Sequence, residues 1–166
     1  MAIEIERKFL VTGDGWKPAD RVHHIEQGYL SSGGPTSVRI RLQDDAATLT
    51  IKSDKAGLAR DEFEYPIPFA EAEQLLRLCA LPPIVKKRHE LVHAGKLWQI
   101  DVFEGRHAGL VMAEIELTHE REAFERPAWL GREVTSDPRY RNSALVETGL
   151  DASFDEEPRR IGLARN

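Results

Sequence analysis

The 166-residue sequence predicts an α+β fold built mainly on eight strands in an antiparallel sheet, and three observations carry that prediction. Short segments alternate charged and apolar residues with a period of two, the pattern of a strand with one buried face. The turns between them, Gly33-Gly34-Pro35, Asp44-Asp45, Lys55-Ala56-Gly57, Ala94-Gly95 and the stretch from Gly105 to Gly109, are mostly too short for parallel crossovers. Helical spacing is confined to one crossover and to the last third of the chain.

In order, strands are expected near residues 2 to 11, 22 to 31, 36 to 44, 46 to 54 and 58 to 68. A helix then runs from Phe69 to Cys79, preceded by Pro68 and stopped by Pro82-Pro83. Strands near 83 to 93, 96 to 104 and 109 to 118 complete the eight, and helical stretches follow near Glu120 to Glu125 and Pro138 to Thr148. The single cysteine, Cys79, lies in an apolar helical stretch and reads as a structural thiol, and one cysteine excludes an internal disulfide.

The charges identify the working face. Glu4-Ile5-Glu6-Arg7-Lys8 sets two carboxylates and an ammonium on one side of the first strand and Ile3 and Ile5 on the other. The habit recurs in Arg39-Ile40-Arg41, Thr50-Ile51-Lys52, Glu62-Phe63-Glu64, Lys86-Lys87-Arg88 and Glu114-Ile115-Glu116, and most pairs carry one sign. Same-face neighbours on a strand sit about 7 Å apart, so like charges there repel. One such pair is an ordinary solvated face; six together point to cations neutralised by a polyanion and carboxylates neutralised by metal ions.

With Asp101 added, the face carries six cations, Lys8, Arg39, Arg41, Lys52, Lys86 and Arg88, against seven carboxylates, Glu4, Glu6, Glu62, Glu64, Asp101, Glu114 and Glu116, a balance of minus one. Two divalent cations would move it to plus three, about what a linear triphosphate offsets. Eight strands with such a face either close around a water-filled lumen or form an open sheet with a charged concave side, and periodicity alone leaves both open.

Composition narrows the function classes. At 41% hydrophobic and 31% charged the chain is globular and of one-domain size. The net charge of −5 argues against a nucleic-acid coat or a membrane-surface role. No apolar run or leader is evident, so a cytoplasmic location is expected. The six histidines match no zinc spacing, and the Gly-rich phosphate loops and Gly-x-Ser-x-Gly elbow are missing, so any triphosphate is held by side chains.

Taken together, Glu4-x-Glu6-x-Lys8, Arg39-x-Arg41, Thr50-x-Lys52, Glu62-x-Glu64, Lys86-x-Arg88, Asp101-Val-Phe-Glu-Gly105, Glu114-x-Glu116, Trp129-Leu-Gly-Arg-Glu-Val-Thr135 and Arg139-Tyr-Arg-Asn-Ser143 resemble the CYTH domain or triphosphate tunnel metalloenzyme family, in its short bacterial branch. His89 departs from the pattern, standing where relatives usually carry a tyrosine.

The resemblance implies an eight-stranded antiparallel β-barrel, the triphosphate tunnel, with flanking helices, over residues 1–150, followed by an extension at 151–166. It implies hydrolysis of a small-molecule triphosphate, with inorganic triphosphate favoured. Class IV adenylate cyclase, thiamine triphosphatase and non-catalytic polyphosphate or nucleotide binding are the alternatives. The first two need an aromatic platform, for which Trp98, Phe103, Trp16 and Trp129 are the candidates. Oxygen ligands suit magnesium or manganese, assigned to Glu4, Glu6, Glu114 and Glu116, with Glu62, Glu64 and Asp101 as further or supporting ligands. Arg39, Arg41, Lys52, Lys86 and Arg88 are assigned to the phosphates. Lys8 would hold the terminal phosphate or protonate the leaving oxygen, with Tyr29 beside it, although as a residue Tyr29 also reads as a strand aromatic with a satisfied hydroxyl. No nucleic-acid or membrane partner is expected, and a homodimer is compatible with the sequence.

Overall fold

The computed structural model describes residues 3–53 and 57–150. The expected extension at 151–166, Ala2 of the first predicted strand, Asp54 of the fourth and Lys55-Ala56 of one turn lie outside the described residues.

All eight predicted strands are present: β1 Ile3–Val11, β2 Arg21–Ser31, β3 Thr36–Gln43, β4 Ala46–Ser53, β5 Ala59–Pro66, β6 Ile84–His93, β7 Lys96–Phe103 and β8 Val111–Glu116. They pair antiparallel in the order β5-β4-β3-β2-β6-β7-β8-β1, and β1 pairs back onto β5, which closes the barrel. Closure answers what periodicity left open. A ninth strand, β9 Leu130–Glu133, was not predicted; it continues the edge of β1 that β5 occupies only at Ile3, Glu4 and Ile5. Gly131 permits this approach, since a Cβ there would lie 2.8 Å from the Leu10 carbonyl oxygen.

The late helices differ from expectation. No helix forms over 120–125; after a turn at Glu120 and Arg121 the chain runs irregularly to β9. That path carries Phe124 onto Phe9 and Trp98, with centroids 6.1 and 5.7 Å away. The predicted helix at 138–148 is a 3-10 turn at Pro138–Tyr140 and a four-residue helix α2 Asn142–Leu145, divided by Arg141 in extended conformation (φ −70°, ψ 138°). The crossover helix α1 Phe69–Leu78 forms as predicted, and none of the described helices is long and apolar enough to cross a membrane.

The core lies outside the lumen. Phe9, Trp98, Ile100, Ala113 and Ile115 on the outer faces of β1, β7 and β8 are covered by Trp16, Phe124 and Trp129. Helix α1 packs Ala72, Leu75 and Leu76 against Ile40, Leu42, Ala47 and Leu49. Gly28 makes room for it, because a Cβ there would meet Cys79 Sγ at 2.9 Å; the half-buried Cys79 is a packing thiol, its pKa raised by burial. A third cluster stoppers one end of the barrel. Leu10 and Met112 sit on the lumen side, two positions beyond Lys8 and Glu114, and pack with Ile84, Phe103, Val134, Tyr140, Leu145 and Val146. The lumen is therefore a cup with an oily base.

Candidate active site

The alternation of each strand delivers the charges inward. A cavity of about 530 Å³ is lined by Glu4, Glu6 and Lys8 of β1, Tyr29 of β2, Arg39 and Arg41 of β3, Lys52 of β4, Glu62 and Glu64 of β5, Arg88 of β6, and Glu114 and Glu116 of β8. Every predicted site residue is there except two. Lys86 and Asp101 lie on the same faces but one level deeper, with side chains 0% exposed, where their register partners are the apolar Phe103 and Met112. Lys86, predicted to hold phosphate, does not line the cavity.

These two groups form the floor. Lys86 Nζ donates to Asp101 Oδ2 at 2.6 Å and to Asn142 Oδ1 at 3.1 Å, while Arg88 donates to both oxygens of Asp101 at 2.8 Å. From there a chain of polar contacts climbs both walls. Asn142 Oδ1 accepts from Gln27 Nε2 at 2.9 Å, and Gln27 Oε1 accepts from Arg41 Nε and Nη2 at 2.9 and 2.8 Å. On the other side Arg88 Nη2 reaches Glu114 at 3.3 Å, Glu114 reaches Lys8 at 3.4 Å and Lys8 reaches Glu6 at 3.3 Å. Nine side chains from six strands, β1, β2, β3, β6, β7 and β8, and from α2 are thus held in one network. Across the cup, Lys52 donates to Glu4 at 2.8 Å, and Arg39 and Glu64 share Thr50 Oγ1, each at 3.2 Å.

The lining is built mainly of strand side chains, with no glycine-rich phosphate loop among the described residues, and comparison with known proteins gives its kinship. The model of the CYTH domain family matches residues 2–145. The chain belongs to the CYTH family. It is 45% identical over 148 residues to an inorganic triphosphatase of Acetivibrio thermocellus, spanning 89% of this chain and 95% of that one. An inorganic triphosphatase of Nitrosomonas europaea is 37% identical over 151 residues, spanning 86% and 96%. A crystal structure of an inorganic triphosphatase shares the fold with a TM-score of 0.66 at 33% identity, over 89% of this chain and 97% of that one.

Electrostatics divide the CYTH cup into satisfied and unsatisfied charges. Burial works against the Asp101 carboxylate, yet Arg88 and Lys86 hold its pKa well below the usual carboxylate range. Burial likewise opposes the Lys8 and Arg88 cations, but Glu114 and Glu6 raise the first and Asp101 and Glu114 the second. For Arg41 the balance falls the other way: burial, then Arg39 and Arg88, push its pKa down by more than Asp101 raises it. Glu116 is its mirror image, raised by burial and then by the charges of Glu4 and Glu6, with no ion pair among the described residues. Arg39 Nε is buried with no hydrogen-bond partner among the described residues.

These observations test the cup for a divalent cation. Among the described residues no three ligating side chains converge on one point as they stand, since Glu4 and Glu6 turn to Lys52 and Lys8. The donors are nonetheless all carboxylate oxygens, and the mutual repulsion of Glu4, Glu6 and Glu116 is what a hard cation relieves. The residues fit the group.

Two cations in the cup escaped the sequence reading. Arg60 of β5 stands opposite Glu4 in the register, and Arg141 enters from the break before α2. The signal for Arg60 was the same-face position two residues before Glu62; Arg141 lies in a loop, where no periodicity points. With them the lining holds seven cations and six carboxylates, and the buried Lys86 and Asp101 cancel.

Proposed function

We propose that this protein hydrolyses inorganic triphosphate to diphosphate and phosphate with the help of magnesium or manganese. The single observation that carries the reading is a polar cup in which burial and like-charged neighbours together disfavour the ionised forms of Arg41 and Glu116, a lining completed by a polyanion and a metal cation together. The names of its relatives point the same way.

Arg39, Arg41 and Arg88 grip phosphate oxygens through forked hydrogen bonds, and Lys52 and Lys8 act as point charges. Arg60 and Arg141 join them. Glu4, Glu6, Glu114 and Glu116 are the oxygen donors for metal, with Glu62 and Glu64 on the facing wall. A bound divalent ion supplies charge neutralisation on the phosphate oxygens and acidifies a water for in-line attack. Asp101 and Lys86 are positioning groups: they lock Arg88 and Asn142, and through Asn142 and Gln27 they aim Arg41. Tyr29 lines the cup near Lys8 and Arg41 and orients the same end of the anion.

Tyr29 is also the only aromatic side chain among the described lining residues. Trp16, Trp98 and Trp129 belong to the outer core and Phe103 to the oily base, so none offers a platform for a purine or thiamine. The test is a substrate panel with magnesium or manganese. Phosphate release from inorganic triphosphate is expected to exceed release from ATP or diphosphate by about two orders of magnitude in kcat/KM. Equal rates on all three, or formation of cyclic AMP from ATP, would refute the proposal.

A further inference from the structure

Beside the cup lies a smaller cavity of about 170 Å³, bounded by Gly33 and Gly34 of the β2–β3 turn, Ser53 at the end of β4, Arg60 at the start of β5 and the segment from Pro138 to Glu147. Ser37, Arg60, Arg141 and Ser143 line both spaces, so the two meet at these four side chains. Arg60 belongs to the short seam where β1 joins β5 through only three residue pairs before its edge passes to β9. The annex is a side chamber at the narrowest joint of the barrel.

Its chemistry is that of a phosphate site. Two guanidinium groups and the side chains of Ser37, Ser53 and Ser143 line it, with no aromatic side chain among the described lining residues. Among the described residues no carboxylate is paired with Arg60. At about 30 Å³ for a water's share of volume, the chamber holds one phosphate group with a water or two and excludes a nucleoside. Planar, forked guanidinium donors match phosphate oxygens. Among the described lining residues the one opposing charge is Glu147 at the rim, whose Oε1 accepts from Ser32 Oγ at 3.3 Å.

We infer that the annex is a subsite for one phosphate beyond the third, the terminal unit of a linear inorganic tetraphosphate whose other three units lie in the cup. The inference rests on the cup's holding a triphosphate. It makes the annex a length gauge: a fourth phosphate enters, whereas a nucleoside at the same end is turned away by the size and the polarity of the chamber.

The experiment uses the full chain and two positions, Glu147 and Ser53, that line the annex or its rim but not the cup. Triphosphate and tetraphosphate are titrated by calorimetry without divalent metal, and their hydrolysis is followed in parallel with magnesium. The ratio of tetraphosphate to triphosphate affinity should rise about threefold in Glu147→Gln and about tenfold in Glu147→Lys, and fall about three- to tenfold in Ser53→Glu, as expected for one charge some 7 Å away in a largely aqueous medium. Triphosphate affinity itself should change less than about twofold in all three. Because Ser53 Oγ accepts a hydrogen bond from the Asp61 amide at 3.0 Å, Ser53→Gln controls for its loss and should leave the ratio unchanged. A ratio that ignores the sign of the introduced charge overturns the inference. So does an effect confined to inhibition by orthophosphate, which would assign the chamber to the released product instead. Absent triphosphate cleavage with a responsive ratio refutes the hydrolase reading and leaves the annex standing; normal cleavage with an unresponsive ratio refutes the annex alone.

Discussion

The floor and the walls of one cup treat charge in opposite ways. At the floor, Lys86, Asp101 and Arg88 are buried, mutually paired and tied to Asn142. On the walls, Arg41 faces Arg39 and Arg88 with only the neutral Gln27 to receive its hydrogen bonds, and Glu116 faces Glu4 and Glu6. Paired charges in a dry interior fix geometry, whereas unpaired charges of one sign are held at a cost that a ligand removes. The two sets differ in exposure, the floor being buried while Arg41 is half-buried and Glu116 exposed, and they differ again in the sign of their neighbours.

The comparison is broken most forcefully at the floor. Asp101→Asn leaves two buried cations facing each other and should destabilise the fold by about 3–5 kcal/mol, read as a lowered urea midpoint. A midpoint near that of the unaltered protein would mean that the floor is not structural. On the wall the outcome should invert. Glu116→Gln should lower metal-supported triphosphate turnover about a hundredfold, roughly 2.7 kcal/mol, while the metal-free unfolding midpoint holds or rises. Arg41→Gln should weaken triphosphate binding by roughly 1.5–3 kcal/mol without comparable loss of stability, measured by calorimetry beside a melting curve. If it melts early instead, Arg41 belongs with the floor.

The smallest effect concerns a pair outside the cup. Burial would raise the Glu133 carboxyl, but hydrogen bonds from Arg7 and Thr135 hold its pKa below the ordinary glutamate value. The stability this contributes is complete above the ordinary glutamate pKa and is lost as pH falls through the lower, folded value. Arg7→Ala should therefore narrow the gap between unfolding free energies at neutral and acid pH, by less than about 1 kcal/mol because both side chains are partly exposed. An unchanged gap would show that Arg7 leaves this titration untouched.

What was legible in the sequence follows the period of two. Eight strands and the inward set of Glu4, Glu6, Lys8, Arg39, Arg41, Lys52, Glu62, Glu64, Arg88, Glu114 and Glu116 could be read because a closed barrel preserves alternation on every strand. Depth along a strand could not be read that way. Lys86 looks like Arg88 in the sequence, and only the register, which sets Lys86 against Phe103 and Asp101 against Met112, reveals the level at which water gives way to hydrocarbon. Strand β9 was missed because Leu130-Gly131-Arg132-Glu133 is short and does not alternate, and it pairs only with the remainder of an edge. The helix expected at 120–125 loses to tertiary demands: Glu122 accepts a hydrogen bond from Thr118 Oγ1 at 2.9 Å and is paired with Lys96, and Phe124 is drawn into the outer core.

The three-way pairing of β1 bears on how the molecule assembles. Its partners are supplied by residues 59–61, 112–116 and 130–133, so the strand that carries Glu4, Glu6 and Lys8 waits for more than a hundred later residues to be synthesised. Contacts this distant in sequence are slow to form, because a long loop must be ordered before they reward it. Ring closure is then a late event in folding, and a nascent chain carries the pieces of the site long before it carries the site.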